Sequence, residues 1–350
     1  MSPIELTREE IVAADPGHMM GDVLAQPDQL RDALWRAESV ALPRGEMAGG
    51  LVVAGMGGSA VGGDLAAAVL GDRARRPVST VRGYELDPWV GADTLVLCAS
   101  YSGDTEETLA CFEQAGAAGA PRVAITTGGQ LGSAAREAGV PVIGVPAGFQ
   151  PRAAVVYMTV AALECATACG AGPSLTSELE AAGALLGDLL PEWGPDAPAD
   201  SEAKALATAL AGTVPVVYGA GLTAAVARRW KTQVNENASA PAFASELPEA
   251  DHNEVCGFEA HGPAAARLAA VFLDDPGLDQ RLRRRIALTA ELLEPQAAVV
   301  RRVEARGQTP AERVLSLVLL GDLVSVYMAV LTGVDPTPVP AIEDLKKRLG

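Results

Sequence analysis

The sequence predicts an α/β protein of two lobes, each a mostly parallel sheet flanked by helices, with a helical C-terminal region. Three observations lead there. Short apolar runs of strand length alternate with longer stretches of helical spacing, the pattern of βαβ crossovers. A Gly-rich turn follows a strand twice, at Gly55-Met-Gly-Gly-Ser59 and at Gly219-Ala-Gly-Leu-Thr223, 164 residues apart. The chain has 350 residues, a length that suits two domains.

Residues up to about 45 read as helical, with a turn at Asp15-Pro-Gly and apolar helical spacing from Met19 to Ser39. Leu51-Val-Val-Ala is a strand entering the first Gly-rich turn. Pro77–Val81, Thr94–Ala99, Arg122–Thr126 and Val140–Val145 complete the first series of strands. Continuous apolar runs such as TLVLCA fit a sheet covered on both faces. Residues 151–170 are helical, and 171–200 combine a further helix with the Pro-rich stretch PEWGPDAPADS. The division that follows is 1–172 for an N-terminal helix plus the first lobe, 173–200 for a linker and helix, and 201–350 for the second lobe with its C-terminal helices. In that last part a strand at Val214–Tyr218 enters the second Gly-rich turn, and another strand is expected near Ala269–Leu273. Helices dominate from Leu278 to Leu331, and a short helix, Ala341–Leu349, follows the turn DPTPVP. Val314–Leu331 is the most apolar stretch. Asp322 interrupts it, so it reads as a buried helix rather than a membrane span.

Composition limits the partners. Apolar residues make up 49% of the chain but aromatics only 4%, so Ala, Val and Leu must build the core. A net charge of −17 argues against nucleic acid and gives an anionic ligand no long-range attraction. Any phosphate site must therefore be local, made of helix N-termini, hydroxyls and one or two placed cations. Five scattered cysteines form no disulfide or metal framework, and the N-terminus lacks a basic start followed by an apolar run. Reduced thiols in a cytoplasmic protein are the reading, with no membrane association.

Two turns can carry chemistry. Gly55-Met-Gly-Gly-Ser59 follows a strand and opens a helix, where free N–H groups and a partial positive charge suit a phosphate. It lacks the lysine of a P-loop, and no ribose-binding acid follows as a dinucleotide fold requires. Ser100-Tyr-Ser102-Gly-Asp104-Thr105 also follows a strand. Its three hydroxyls can donate to phosphate oxygens without adding charge, although Ser102 and Thr105 equally suit a helix start. Two such turns at the ends of neighbouring strands point to one binding crevice.

These residues resemble a family. GMGGSA followed by SYSGDTEET resembles the sugar isomerase (SIS) domain. Pro151-Arg152-Ala-Ala, Asn235-Glu236-Asn237, ELPEADHNE from Glu246 to Glu254, Ser325-Val-Tyr, and Val334-Asp-Pro running to Lys346 narrow it further. Together they resemble the bifunctional phosphoglucose/phosphomannose isomerase family, over about residues 15–349. The resemblance implies SIS-type lobes and interconversion of glucose 6-phosphate or mannose 6-phosphate with fructose 6-phosphate through an enediol, without metal or cofactor. It implies that Gly58, Ser59, Ser100, Ser102 and Thr105 hold the substrate phosphate. Arg152 would stabilise the enediolate, and Glu236 would move the proton between C2 and C1. His252 would open the sugar ring, reaching in from the partner of a homodimer with shared active sites, and Lys346 would assist at the ring oxygen.

The chemistry asks for such a set. A partly desolvated carboxylate removes a proton next to a carbonyl, a fixed guanidinium stabilises the oxyanion, and histidine exchanges protons near neutral pH. A zinc-dependent isomerase would need clustered ligands, which three histidines at 18, 252 and 261 cannot supply; His18 and His261 read as loop residues. Two departures stand out. Relatives carry Asn where this chain has Asp104, and a carboxylate weakens phosphate binding unless it points away. Thr337 and Val339 are both candidates for the position that lets relatives accept either C2 epimer. Two rival functions follow: a phosphosugar sensor without turnover, and an isomerase acting on another phosphosugar.

Overall fold

A computed structural model describes residues 5–259 and 264–349; His261 lies outside them. The elements in chain order begin with α1 (Arg8–Ala14), α2 (Met19–Leu24), α3 (Gln26–Glu38), β1 (Gly50–Gly55), α4 (Gly57–Leu70), β2 (Val78–Val81), β3 (Thr94–Ala99) and α5 (Glu106–Ala117). There follow β4 (Arg122–Thr126), α6 (Gly129–Glu137), β5 (Val142–Gly144), a 3-10 turn at Pro151–Ala154, α7 (Val155–Ala168), α8 (Thr176–Trp193) and α9 (Glu202–Leu210). The rest comprises β6 (Val214–Gly219), α10 (Leu222–Asn237), β7 (Phe243–Glu246), β8 (Leu268–Asp274), α11 (Gln280–Leu293), β9 (Val299–Glu304), α12 (Pro310–Thr332) and α13 (Pro340–Leu349). The chain forms two compact units. Among the described residues, one holds 25–184 and 309–312; the other holds 5–24, 185–259, 264–308 and 313–349. The sequence placed residues 5–24 with the first lobe, whereas by compactness they go with the second.

The first unit is built on a five-stranded sheet, order β2-β1-β3-β4-β5, parallel throughout. β1 and β3 are buried along their whole length. Val52, Ala54, Val96, Cys98 and Ala124 meet Cys111, Phe112 and Ala115 of α5 and Leu131 and Ala135 of α6. The opposite face is covered by α4 and α7. That double coverage is why these strands read as unbroken apolar runs. Chain direction reverses about β1: the strand after it lies on one side and the next strand on the other. The turns leaving β1 and β3 therefore flank a crevice at the carboxyl edge of the sheet.

The second unit repeats the plan with four parallel strands, order β7-β6-β8-β9. β6 and α10 take the places that β1 and α4 hold in the first sheet. On one face Val216, Tyr218, Ala270 and Phe272 pack against Ile286, Ala290 and Leu293 of α11. The rings of Tyr218 and Phe272 stack with centroids 4.8 Å apart. α12 is long and apolar enough to cross a membrane, but 94% of its most apolar window is buried within the protein.

Three local expectations change. The helix foreseen from Met19 to Ser39 is two helices, broken at Ala25 with Pro27 entering the first turn of α3. β7 and β9 were not foreseen. Both are edge strands: β7 lies between Pro241 and Pro248, and arginines interrupt the apolar run of β9. An edge strand needs only one covered side, so it carries a weaker apolar signature and tolerates charge.

Candidate active site

At the crevice of the first unit the hydroxyls of the two turns bond to one another and to turn N–H groups. The cap residues of α4 and α5, Met56 and Thr105, make no side-chain capping hydrogen bond. Thr105 Oγ1 lies 2.8 Å from Ser100 Oγ instead, and Ser100 Oγ accepts from the Gly103 N–H at 3.0 Å. Ser59 Oγ accepts from the Tyr101 N–H at 3.2 Å, which joins the two turns directly. Ser102 Oγ accepts from the Asp104 N–H at 3.2 Å. Ser59 and Ser100 are buried, Thr105 half-buried and Ser102 exposed. The capping-box alternative for Thr105 is thus not realised. Gly103 sets the shape of the second turn: its φ is +80°, and a Cβ there would stand 2.0 Å from the Gly128 carbonyl oxygen.

Arg152 is brought to the same crevice. A Cβ on Gly58 would stand 2.9 Å from the Arg152 Cα and 3.1 Å from the Pro151 carbonyl oxygen, so only glycine lets the two segments touch. Arg152 is 2% exposed. Gly58, Ser59, Ser100, Ser102, Thr105 and Arg152 thus line one end of one sheet.

Asp104 has a local role. Its Oδ1 accepts from the Gln130 N–H at 3.0 Å, while the Gly103 carbonyl accepts from the Leu131 N–H at 2.8 Å. Its carboxylate serves the start of α6, where a negative charge meets the positive end of the helix. Asp104→Ala is expected to cost about 1 kcal/mol in urea unfolding. Asp104→Asn, which keeps the acceptor, should cost less. Because the side chain is exposed and screened, Asp104→Asn should change KM for a phosphosugar by less than about threefold.

Glu236, His252 and Lys346 lie in the second unit. Glu236 is half-buried in the last turn of α10, between two anchored amides. Asn235 Nδ2 donates to the Ala240 carbonyl at 2.9 Å, and Asn237 Nδ2 donates to Ser325 Oγ of α12 at 2.9 Å. His252 is exposed, and its polar neighbours hold the turn beneath it. Asp251 binds Arg285 at 3.1 Å and accepts from Thr289 Oγ1 at 2.7 Å. Glu254 accepts from Ser245 Oγ. Burial, with Glu254 beside it, holds the Tyr218 hydroxyl above its usual pKa range. Lys346 is exposed on α13. Thr337 Oγ1 lies 3.4 Å from Asp15 Oδ1 and packs over Gly17; Val339 is half-buried before α13.

The two switch points differ in chemistry. Where β3 ends in Ser100-Tyr101, β8 ends in Asp274-Asp275. Asp274 is bound by Arg283 and Arg302, and Asp275 by Arg313. Thr223, in the second Gly-rich turn, spends its hydroxyl on the Leu273 carbonyl at 3.0 Å. There the charged side chains are paired with one another, whereas the turn after β3 in the first unit carries hydroxyls. Among the described residues no group of three or more His, Cys, Asp or Glu side chains is placed to hold a metal ion.

A profile of the bacterial phospho-glucose isomerase C-terminal SIS domain matches residues 199–349. The chain is 35% identical over 334 residues to the bifunctional phosphoglucose/phosphomannose isomerase of Caldicellulosiruptor bescii, covering 95% of this chain and 98% of that one. It is 38% identical over 301 residues to the enzyme of the same name from Aquifex aeolicus, covering 86% and 90%. In fold it resembles a hypothetical protein of Thermus thermophilus, with a TM-score of 0.74 at 18% identity over 98% of this chain and 94% of that one. With identity of this level running through both units, the chain belongs to the bifunctional phosphoglucose/phosphomannose isomerase family.

Proposed function

We propose that this protein interconverts glucose 6-phosphate and mannose 6-phosphate with fructose 6-phosphate by proton transfer through an enediol, without a metal. The observation that carries the reading is the crevice of the first unit. Hydroxyls of the two turns, Thr105 among them rather than capping α5, gather there beside a buried arginine, at a switch point whose counterpart in the second unit is filled by carboxylate–arginine pairs. Hydroxyls and backbone N–H groups suit a phosphate in a protein whose overall charge would repel it.

In this reading Ser59, Ser100, Ser102 and Thr105 hold the ester, with Gly58 giving it room. Glu236 takes the proton from C2 and returns it to C1, while Arg152 stabilises the enediolate oxygen. His252 opens the ring and Lys346 assists at the ring oxygen. His252 stands exposed on an anchored turn, as a residue serving the site of a second copy must, so a homodimer with shared active sites is part of the proposal. The cytoplasm is its place: among the described residues all five cysteines are unbridged, and burial raises the Cys98 and Cys165 thiols so that they stay protonated.

A coupled assay of both aldose phosphates, with and without chelator, tests the reading. Both substrates should turn over, and chelator should change neither rate by more than about twofold. Activity lost to chelator and restored by zinc would remove the metal-free mechanism. Phosphosugar binding without turnover would favour a sensor.

A further inference from the structure

Tyr101 stands between two residues of the phosphate turn and is bonded in two directions. Its main-chain N–H donates to Ser59 Oγ at 3.2 Å. The residue is 9% exposed, and its phenol reaches the segment after β5, donating to the Pro146 carbonyl at 3.1 Å and accepting from the Phe149 N–H at 2.9 Å. That segment delivers Arg152. Phe149 lies three residues before it, and the Gln150 carbonyl accepts from the Ala153 N–H at 2.8 Å as the 3-10 turn begins. From the other side Gly58 meets the Arg152 backbone. Arg152 thus has two supports, one from each phosphate-site turn.

We propose that Tyr101 is a positioning residue that couples the grip on phosphate to the placement of Arg152. This rests on the reading of Arg152 as the enediolate stabiliser. Ordering the 100–105 turn around the ester fixes the Tyr101 backbone, and its hydroxyl then fixes residues 146–149 and the arginine behind them. The contact is of use only while charge develops on the substrate, because the ester itself is held by Ser59, Ser100, Ser102 and Thr105. Binding energy from a remote group is in this way directed to the reacting carbons.

The test is steady-state kinetics on the full-length protein with glucose 6-phosphate, comparing Tyr101→Phe, Arg152→Ala and the double variant. Phenylalanine keeps the ring and removes both hydroxyl bonds. Tyr101→Phe should lower kcat about tenfold with KM within about twofold. Arg152→Ala should lower kcat by about 100-fold or more, and adding Tyr101→Phe to it should cost less than about twofold further, since the tyrosine acts only through the arginine. Three results overturn the coupling: an unchanged kcat in Tyr101→Phe beside an impaired Arg152→Ala, losses that multiply in the double variant, or a lowered melting temperature with full kcat. An unimpaired Arg152→Ala would instead refute the enediolate role, and the coupling with it.

Discussion

Glu236→Gln is expected to lower kcat about 10³-fold while phosphosugar affinity stays within about threefold. The substitution keeps the shape and reach of the side chain and removes its charge and its ability to take a proton. The backbone around it should hold. The preceding amide is fixed to the Ala240 carbonyl and the following one to Ser325 of α12, so the last turn of α10 keeps its course. Two measurements separate the possibilities. Titration of the variant with fructose 6-phosphate reports binding, and exchange of the C2 proton in deuterated water reports the transfer step alone. Wild-type exchange in the variant would end the case for Glu236 as the base. Loss of binding together with loss of exchange would make it a substrate-holding group instead.

How far the sequence could be read follows from what each segment had to satisfy. β1 and β3 are covered on both faces, so their composition alone declared them strands. β7 and β9 lie at the edges of the second sheet, where Phe243, Arg301 and Arg302 face solvent, and nothing local separates them from loop. The two hydroxyl turns were legible because a strand–turn–helix junction with Ser and Thr is a local pattern. Whether Thr105 capped its helix was not legible, since the answer depended on Ser100 lying 2.8 Å away. The part played by Asp104 depends in the same way on α6, a helix that begins 25 residues later. Tyr101 left no signal at all. It sits in the quoted motif, but its importance arises from a carbonyl and an N–H more than forty residues on. Family resemblance supplied roles for Glu236, His252 and Lys346, and local pattern would have offered each only as a surface residue.

Asp322→Ala is expected to destabilise the second unit by about 3–5 kcal/mol, the largest stability effect foreseen for a single substitution here. Asp322 interrupts the most apolar stretch of the chain, and both it and its partner Arg229 of α10 have side chains 1% exposed. The pair is bidentate, with Nε–Oδ1 3.0 Å and Nη2–Oδ2 2.7 Å. Removing the carboxylate takes both of these bonds from a guanidinium that is 1% exposed. Beside the pair, Trp230 Nε1 donates to the Leu317 carbonyl at 2.8 Å, and a Cβ on Gly321 would stand 2.2 Å from that nitrogen, so α10 and α12 cannot slide to reclaim the space. Urea unfolding should show the loss as a lower midpoint at an unchanged slope. The double replacement Arg229→Met with Asp322→Leu decides what the pair is for. Apolar side chains of similar size should restore most of the lost stability, because two desolvated charges gain little over good packing. If kcat returns as well, packing alone sets the register that places Glu236 two turns further along α10. If stability returns and kcat does not, the fixed geometry of the ion pair sets that register, and its presence in the buried contact of α10 with α12 is explained by the active site it aligns.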